Sequence, residues 1–135
     1  MGTQTPSYHD AAVRVLLIED DEDLAEMYRL RLAADGYAVV IAPDGEDGVA
    51  AARSQAPDLI FLDVRLPRLD GVQVLERLRA SPEACEIPVI VLTSYGEPEI
   101  RSRCLGLGAL DYLVKADVIP SALSDRVRQV THPAA

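Results

Sequence analysis

The alternation of short apolar runs with longer helix-type segments constrains this chain more than any other feature. Five runs have strand length and are mostly continuous in apolar residues: 13–18, 37–42, 59–62, 88–92 and 110–114. Such runs are typical of parallel strands that are covered on both faces. Helices are predicted over about 22–34, 46–54, 72–80, 97–105 and 120–130.

Five repeats of strand and helix predict right-handed crossovers and a doubly wound parallel sheet of the α/β class. A chain of 135 residues has the size of one domain. We expect this domain to span 13–131, after an N-terminal extension over 1–12 and before a short tail over 132–135.

The composition excludes several classes of function. A net charge of −9 argues against a direct nucleic-acid partner and is compatible with a cation site, although it also serves solubility. Cys85 and Cys104 lack CxxC spacing, and His9 and His132 lie near the termini, so a zinc site is not expected. With neither a long apolar segment nor a signal peptide, the sequence predicts a cytoplasmic protein without membrane contact.

Polar residues follow the predicted strands at the edge where open α/β sheets bind ligands. They are the acidic run 19–23 after the first strand, Asp63 after the third, Thr93 and Ser94 after the fourth, and Lys115 after the fifth. Each has an ordinary explanation, such as a helix cap, a turn residue or a solvated charge. Together, they indicate a functional site.

This set of side chains suits phosphoryl transfer to a carboxylate. Asp63 is the candidate nucleophile, and as a carboxylate it needs no general base at neutral pH. Glu19 and Asp20 are the kind of ligands that Mg²⁺ prefers. Lys115 supplies a second positive charge and Thr93 a hydrogen-bond donor, so each phosphoryl oxygen has a counterpart.

Four motifs of the chain resemble the receiver domains of two-component response regulators: LLIEDDEDL, LIFLDVRLPRLDG, IPVIVLTSY and GALDYLVK. The resemblance covers residues 13–130. It implies a flavodoxin-like (βα)5 domain with strand order 2-1-3-4-5. It further implies a phospho-accepting signalling protein that acts only on its own phosphorylation and dephosphorylation, rather than an enzyme with an external substrate.

The resemblance assigns a role to each site residue. Asp63 corresponds to the phospho-acceptor, and Glu19 and Asp20 to the acidic pair. Asp20 and Asp63 correspond to direct ligands of Mg²⁺, for which Mn²⁺ can substitute, and the backbone carbonyl of Arg65 to a third ligand. The remaining roles fall on Thr93 as switch hydroxyl, Tyr112 as switch aromatic and Lys115 as the family's lysine.

The implied phosphoryl donor is a phosphohistidine on a histidine kinase or phosphotransfer protein, and small acyl phosphates also serve. The phosphoryl group is expected to draw Thr93 toward it, so that Tyr112 rotates into the vacated space. The output surface is then the fourth helix, fifth strand and fifth helix. That surface also offers a homodimer interface, where Asp111 and Arg126 either contribute charges or are plain surface residues.

One departure from the family concerns the residue after Lys115, which is usually a proline joined by a cis bond. Here it is Ala116. A cis bond before a non-proline residue costs about 3–4 kcal/mol, so we expect either a trans bond with a rearranged loop or a cis bond held by its surroundings. We also hypothesise that Arg65 and Tyr95 flank the acyl phosphate and restrict water, so that replacing either by alanine speeds dephosphorylation.

Three alternatives remain at this point. A phosphatase of the haloacid-dehalogenase type would need a second Asp two residues after Asp63, where this chain has Arg65. A nucleotide-binding module would need GxxxxGK[ST] or GxGxxG after the first strand, and the sequence has neither. A receiver-like docking module that works without phosphorylation is disfavoured by the full set of site residues.

Overall fold

The computed structural model describes residues 12–94 and 96–132. Its strands are β1 (Arg14–Ile18), β2 (Ala38–Ala42), β3 (Leu59–Asp63), β4 (Val89–Thr93) and β5 (Asp111–Val114). Its helices are α1 (Glu22–Ala34), α2 (Gly45–Gln55), α3 (Gly71–Ala80), α4 (Pro98–Gly106) and α5 (Pro120–Thr131), with a 3₁₀ turn at Lys115–Asp117. Each predicted bound lies within one residue of the observed one.

Parts of the sequence interpretation fall outside the described residues. They include the predicted tuning residue Tyr95 and nearly all of the predicted extension and tail. The proposed limits of the domain therefore stay predictions.

The five strands form one parallel sheet in the order β2-β1-β3-β4-β5. This order confirms the predicted doubly wound, flavodoxin-like fold. The chain passes outward from β1 to β2 and then returns past β1 to β3. Such a reversal opens a crevice at the carboxyl ends of β1 and β3. Ligands bind in this crevice in sheets of this class.

The sheet is covered on both faces by two separate apolar clusters. Alternate residues of each strand belong to opposite clusters, because successive side chains of a strand point to opposite faces. Leu16 and Ile60 lie in the cluster that includes residues of α2, α3 and α4. Leu17 and Phe61 lie in the cluster that includes residues of α1 and α5. Every residue of β3 and β4 is buried, as their continuous apolar runs predict.

The helices are anchored unequally in these clusters. Helix α3 buries five of its ten residues, whereas α4 buries Cys104 alone among its nine. Burial of apolar surface is the main source of a helix's stability in a protein. Helix α4 is therefore less firmly anchored to the sheet than α3.

Three acidic residues begin helices by capping them. Asp21, Asp44 and Asp70 are the N-cap residues of α1, α2 and α3, and each side chain accepts a hydrogen bond from a backbone N–H of the first turn. Gln73 completes a capping box with Asp70. Part of the acidic run 19–23 thus has a structural role, since Asp21 caps α1 and the two acidic residues after it lie in the first turn of that helix. Only Glu19 and Asp20 remain at the strand end.

The segment between β3 and α3 packs closely against the rest of the fold. A Cβ added to Gly45 would collide with the backbone carbonyl of Leu69, and one added to Gly71 would lie 2.6 Å from the carbonyl oxygen of Asp63. Arg68, in the left-handed region with φ 68, forms an ion pair with Asp44. These contacts fix where the chain turns after the end of β3.

Arg79 joins the end of α3 to two other segments. Its guanidinium donates hydrogen bonds to the carbonyl oxygens of Cys85 at 3.1 Å, Ile87 at 3.0 Å, Leu107 at 2.9 Å and Gly108 at 3.1 Å. The first two lie in the connection before β4, and the other two in the turn before β5. One cation therefore holds together the two loops at the amino ends of β4 and β5.

Candidate functional site

The register of the sheet brings the predicted site residues together. Ile18 pairs with Leu62, so Glu19 and Asp63 follow side by side at the ends of β1 and β3. Asp63 and Thr93 are the last residues of their strands, where the sequence placed them just after the strand ends. Thr93 pairs with Val114, so Lys115 follows directly beyond this pair.

Asp63 is a buried carboxylate with a donor on each oxygen. Its side chain is 5% exposed. The backbone N–H of Arg65 donates to Oδ1 at 3.1 Å, and the ammonium of Lys115 donates to Oδ2 at 3.0 Å. A buried carboxylate needs such partners, because an unpaired charge in the interior is costly.

Glu19 shares the same ammonium. Its Oε1 lies 2.6 Å from Lys115 Nζ, and its Oε2 accepts a hydrogen bond from the backbone N–H of Asp21 at 3.1 Å. The contact at Oε1 is an ion pair without the angles of a hydrogen bond, so among the described residues this buried oxygen has no aligned donor. It retains a lone pair for another cation.

Glu19 and Lys115 each shift the pKa of the other. Burial raises the pKa of Glu19 to about 7; the contact with Lys115 opposes this rise, and the charge of Asp63 adds to it. Burial acts to lower the pKa of Lys115, but Glu19 and Asp63 together outweigh it and raise that pKa above its usual value. Lys115 therefore stays charged between the two carboxyl groups.

Three carboxylates converge beside this lysine. Glu19, Asp20 and Asp63 each offer an oxygen, and these oxygens all lie within 4.8 Å of one another. Asp20 is exposed and reaches the group from the solvent side. Hard carboxylate oxygens in this number suit Mg²⁺, which keeps several of its waters. The donor set and the unaligned oxygen of Glu19 both fit a divalent cation.

The predicted switch residues lie at the other side of the site. Thr93 is 1% exposed and Tyr112 is 7% exposed. Tyr112 belongs to the same apolar cluster as Cys104 of α4 and Ala109. The predicted rotation of Tyr112 on phosphorylation stays a prediction. In this structure Tyr112 is a buried residue of that cluster.

The segment after Lys115 decides between the two conformations predicted for it. No peptide bond among the described residues is cis, so the bond between Lys115 and Ala116 is trans. The chain then forms the 3₁₀ turn before α5 begins at Pro120. The predicted charged residues Asp111 and Arg126 pair with each other within the chain at 2.9 Å.

An ion pair between Arg65 and Glu97 was not predicted. Arg65 Nη2 lies 2.7 Å from Oε1 of Glu97, and the pair joins the segment after β3 to the segment after β4. The opposite charges were visible in the sequence. Their contact was not, because it depends on the paths of two loops that strand register does not fix.

The family model of the response regulator receiver domain matches residues 15–128. The chain belongs to this family. Receiver domains in general interact with histidine kinases, bind Mg²⁺ and are not enzymes for other substrates.

Individual relatives agree with this assignment. The DNA-binding dual master transcriptional regulator RpaA of Synechocystis is 39% identical over 115 residues, which are 85% of this chain and 47% of that protein. The PhoP regulator of alkaline phosphatase synthesis in Bacillus subtilis is 35% identical, over 87% of this chain and 48% of its own length. The receiver thus spans about half the length of these curated relatives.

Solved structures match the whole receiver fold. The chemotaxis protein CheY4 of Vibrio cholerae superposes with a TM-score of 0.82 at 28% identity, covering 89% of this chain and 99% of that one. The receiver domain of a Pseudomonas aeruginosa sensor histidine kinase, described with a magnesium ion in its active-site cleft, gives a TM-score of 0.80 at 32% identity, covering 89% and 98%. Among the described residues of this receiver, no helix combines the length and the apolar character needed to cross a membrane.

Proposed function

We propose that this receiver accepts a phosphoryl group on Asp63 from a phosphohistidine of a histidine kinase or phosphotransfer protein. The observation that carries the proposal is the buried carboxylate of Asp63, 3.0 Å from the ammonium of Lys115 and within 4.8 Å of the carboxylates of Glu19 and Asp20. A carboxylate can attack a phosphoryl group only where cations offset the repulsion between the two anions.

The reaction forms one bond and breaks one bond at phosphorus. An oxygen of Asp63 forms the acyl phosphate, while the bond from phosphorus to the imidazole nitrogen of the donor breaks and the imidazole keeps the electron pair. The ammonium of Lys115, which already donates a hydrogen bond to Asp63, pairs with a phosphoryl oxygen as negative charge builds up on that oxygen. Thr93 donates its hydroxyl hydrogen to another oxygen.

Mg²⁺, or Mn²⁺ in its place, would be held by Glu19, Asp20, Asp63 and the backbone carbonyl of Arg65. When bound, the ion supplies positive charge to the phosphoryl oxygens. The catalysis proposed for this chain is confined to its own phosphorylation and dephosphorylation.

The proposed output is a shift of the surface formed by α4, β5 and α5. Engagement of the phosphoryl group by Thr93 changes the packing around Tyr112, which lies against the same cluster as Cys104 of α4. A domain with two packings of similar free energy responds to such a local change as a two-state switch. The proposal includes a homodimer through this surface and a protein target that binds to it. It does not include direct contact of the receiver with nucleic acid, because the net charge is −9.

The test is incubation with acetyl phosphate and Mg²⁺, followed by intact-protein mass measurement. We expect one phosphate adduct on the wild type and on Asp47→Asn, a control that neutralises an exposed carboxylate of α2. Asp63→Asn should give none, and Lys115→Ala and Asp20→Asn should give less in the same time. Absence of an adduct on the wild type, with acetyl phosphate and with a panel of kinases, would overturn the proposal in favour of a docking module.

A further inference from the structure

The charged residues of the candidate site lie on the face of the sheet that α1 and α5 cover. Each stands two positions after a strand residue of the apolar cluster on that face: Glu19 after Leu17, Asp63 after Phe61 and Lys115 after Leu113. Residues two apart along a strand point to the same face. The contacts of Lys115 with both carboxylates agree with this placement. The charged part of the site is therefore next to the layer formed by α1 and α5.

Helix α1 directs one large side chain toward these charges. Its buried residues are Ala25, Tyr28 and Leu32, of which Tyr28 is the largest. Side chains of a helix lean toward its amino end, and α1 begins at Glu22, directly after the acidic residues of the site. The ring of Tyr28 therefore leans toward the site, where the small side chain of Ala25 one turn ahead leaves it room.

The hydroxyl of Tyr28 has no role in the packing of this layer. Tyr28 is 1% exposed, and its hydroxyl makes no hydrogen bond with another described residue. Burial raises the pKa of Tyr28; the charge of Lys115 opposes this rise, and the charges of Glu19 and Asp63 add to it. The hydroxyl thus lies within electrostatic range of all three charged groups, and it stays neutral at physiological pH.

The ammonium of Lys115 has to change partners during the proposed phosphoryl transfer. It contacts Oε1 of Glu19 at 2.6 Å and Oδ2 of Asp63 at 3.0 Å. In an acyl phosphate the carboxyl oxygens of Asp63 carry little charge, so the ammonium turns toward the phosphoryl oxygens and its three donors are redistributed. The side chain of Lys115 is only 14% exposed, so a donor that loses its acceptor there is costly unless the same face supplies another.

We infer that Tyr28 is a positioning residue for Lys115, and that its hydroxyl accepts a hydrogen bond from the ammonium when Lys115 turns to the phosphoryl group. The inference rests on the phosphoryl transfer proposed for Asp63 and adds a residue of α1 to it. A tyrosine hydroxyl is a neutral acceptor. It can hold the ammonium in place without attracting it away from the phosphoryl group, as a carboxylate would.

The first test is Tyr28→Phe, which removes the hydroxyl and keeps the ring in the cluster. With acetyl phosphate and Mg²⁺, followed by intact-protein mass measurement, we expect the phosphate adduct to form about tenfold more slowly than in the wild type, because one hydrogen bond to a charged group is lost. The matched control is Tyr37→Phe, whose ring packs against the same cluster just before β2, at the opposite edge of the sheet from the site. This control should react at the wild-type rate.

Two further measurements separate positioning of Lys115 from a structural effect of the hydroxyl. In long incubations, the Tyr28→Phe/Lys115→Ala variant should form the adduct at the rate of Lys115→Ala, because the hydroxyl then has no ammonium to hold. With beryllium fluoride and Mg²⁺ as the probe for the phosphoryl group, the nitrogen NMR signal of Lys115 Nζ should shift in Tyr28→Phe and not in Tyr37→Phe. Lys115→Arg assigns this signal by its loss.

Three results would overturn the inference while the function proposed for Asp63 stands. They are a wild-type rate in Tyr28→Phe, slowing by the same factor with and without Lys115, and an Nζ signal that Tyr28→Phe leaves unchanged. A wild type that forms no adduct removes the proposed function and the inference with it.

Discussion

Arg79 offers a sharp test of how this fold is held together, because one side chain serves four backbone carbonyls. Cys85 and Ile87 lie before β4, and Leu107 and Gly108 lie before β5. Arg79→Ala removes all four donors at once. Arg79→Lys keeps the charge, but a single ammonium cannot reach both loops in the planar fork geometry of a guanidinium.

The magnitude follows from the burial of these bonds. A hydrogen bond to a charged group contributes about 1.5–3 kcal/mol, so four such bonds would sum to about 6 kcal/mol or more. Three of the four are partly buried and one is exposed, and water replaces the lost donor where it can enter. We therefore expect Arg79→Ala to lower the free energy of unfolding by about 3 kcal/mol and Arg79→Lys by about 1–2 kcal/mol.

The assay is urea denaturation followed by circular dichroism, with the slope of the transition compared between variants. The control is Arg77→Ala, an exposed arginine of the same helix, for which we expect less than about 0.5 kcal/mol. In a thermal scan, Arg79→Ala should melt about 10 °C below the wild type. If the free energies of unfolding of Arg79→Ala and Arg77→Ala differ by less than about 0.5 kcal/mol, the four hydrogen bonds do not hold the two loops together.

Two further predictions concern the site and the pH dependence of stability. Gly71→Ala should slow phosphorylation of Asp63 by acetyl phosphate about tenfold or more, because the added Cβ would lie 2.6 Å from the Asp63 carbonyl oxygen and shift the end of β3. The control is Gly106→Ala, whose added Cβ would have nothing within 4 Å, and equal phosphorylation rates in the two variants would contradict the prediction. Ser124 Oγ donates to Asp35 and, with a smaller effect of Arg31, lowers the pKa of Asp35 below its ordinary value of 3.8. The stability that this hydrogen bond contributes is present above pH 3.8 and is lost as the pH falls through the lower folded pKa of Asp35. Urea titrations should therefore show that the difference in free energy of unfolding between wild type and Ser124→Ala becomes smaller below about pH 4. A difference that stays constant down to about pH 3 would contradict the prediction.

The fold could be predicted from the sequence because its determinants are local. Continuous apolar runs mark strands buried on both faces, and segments of helical length lie between them. The residues at the strand ends were also predictable as a group, since parallel strands end at one edge of the sheet. Register then explains why Glu19, Asp63 and Lys115 meet, although the sequence gives no distance between them.

The interactions that the sequence did not predict are those between loops. The role of Arg79 was not predicted, because its four acceptors are backbone atoms that no sequence pattern marks. Glu97 looked like the start of α4, and only the paths of two loops bring it to Arg65.

Helix α4 buries one residue of nine, and this low burial has a consequence for how the domain can transmit a signal. A segment that contributes little buried surface can detach or fray while the sheet stays intact, so its opening costs far less free energy than global unfolding. Amide hydrogens of α4 should then exchange with solvent by local opening, and those of β3 and β4 only through larger openings. By this reasoning α4 opens more readily than the sheet, and a partner that bound α4 would select among conformations that local opening already populates.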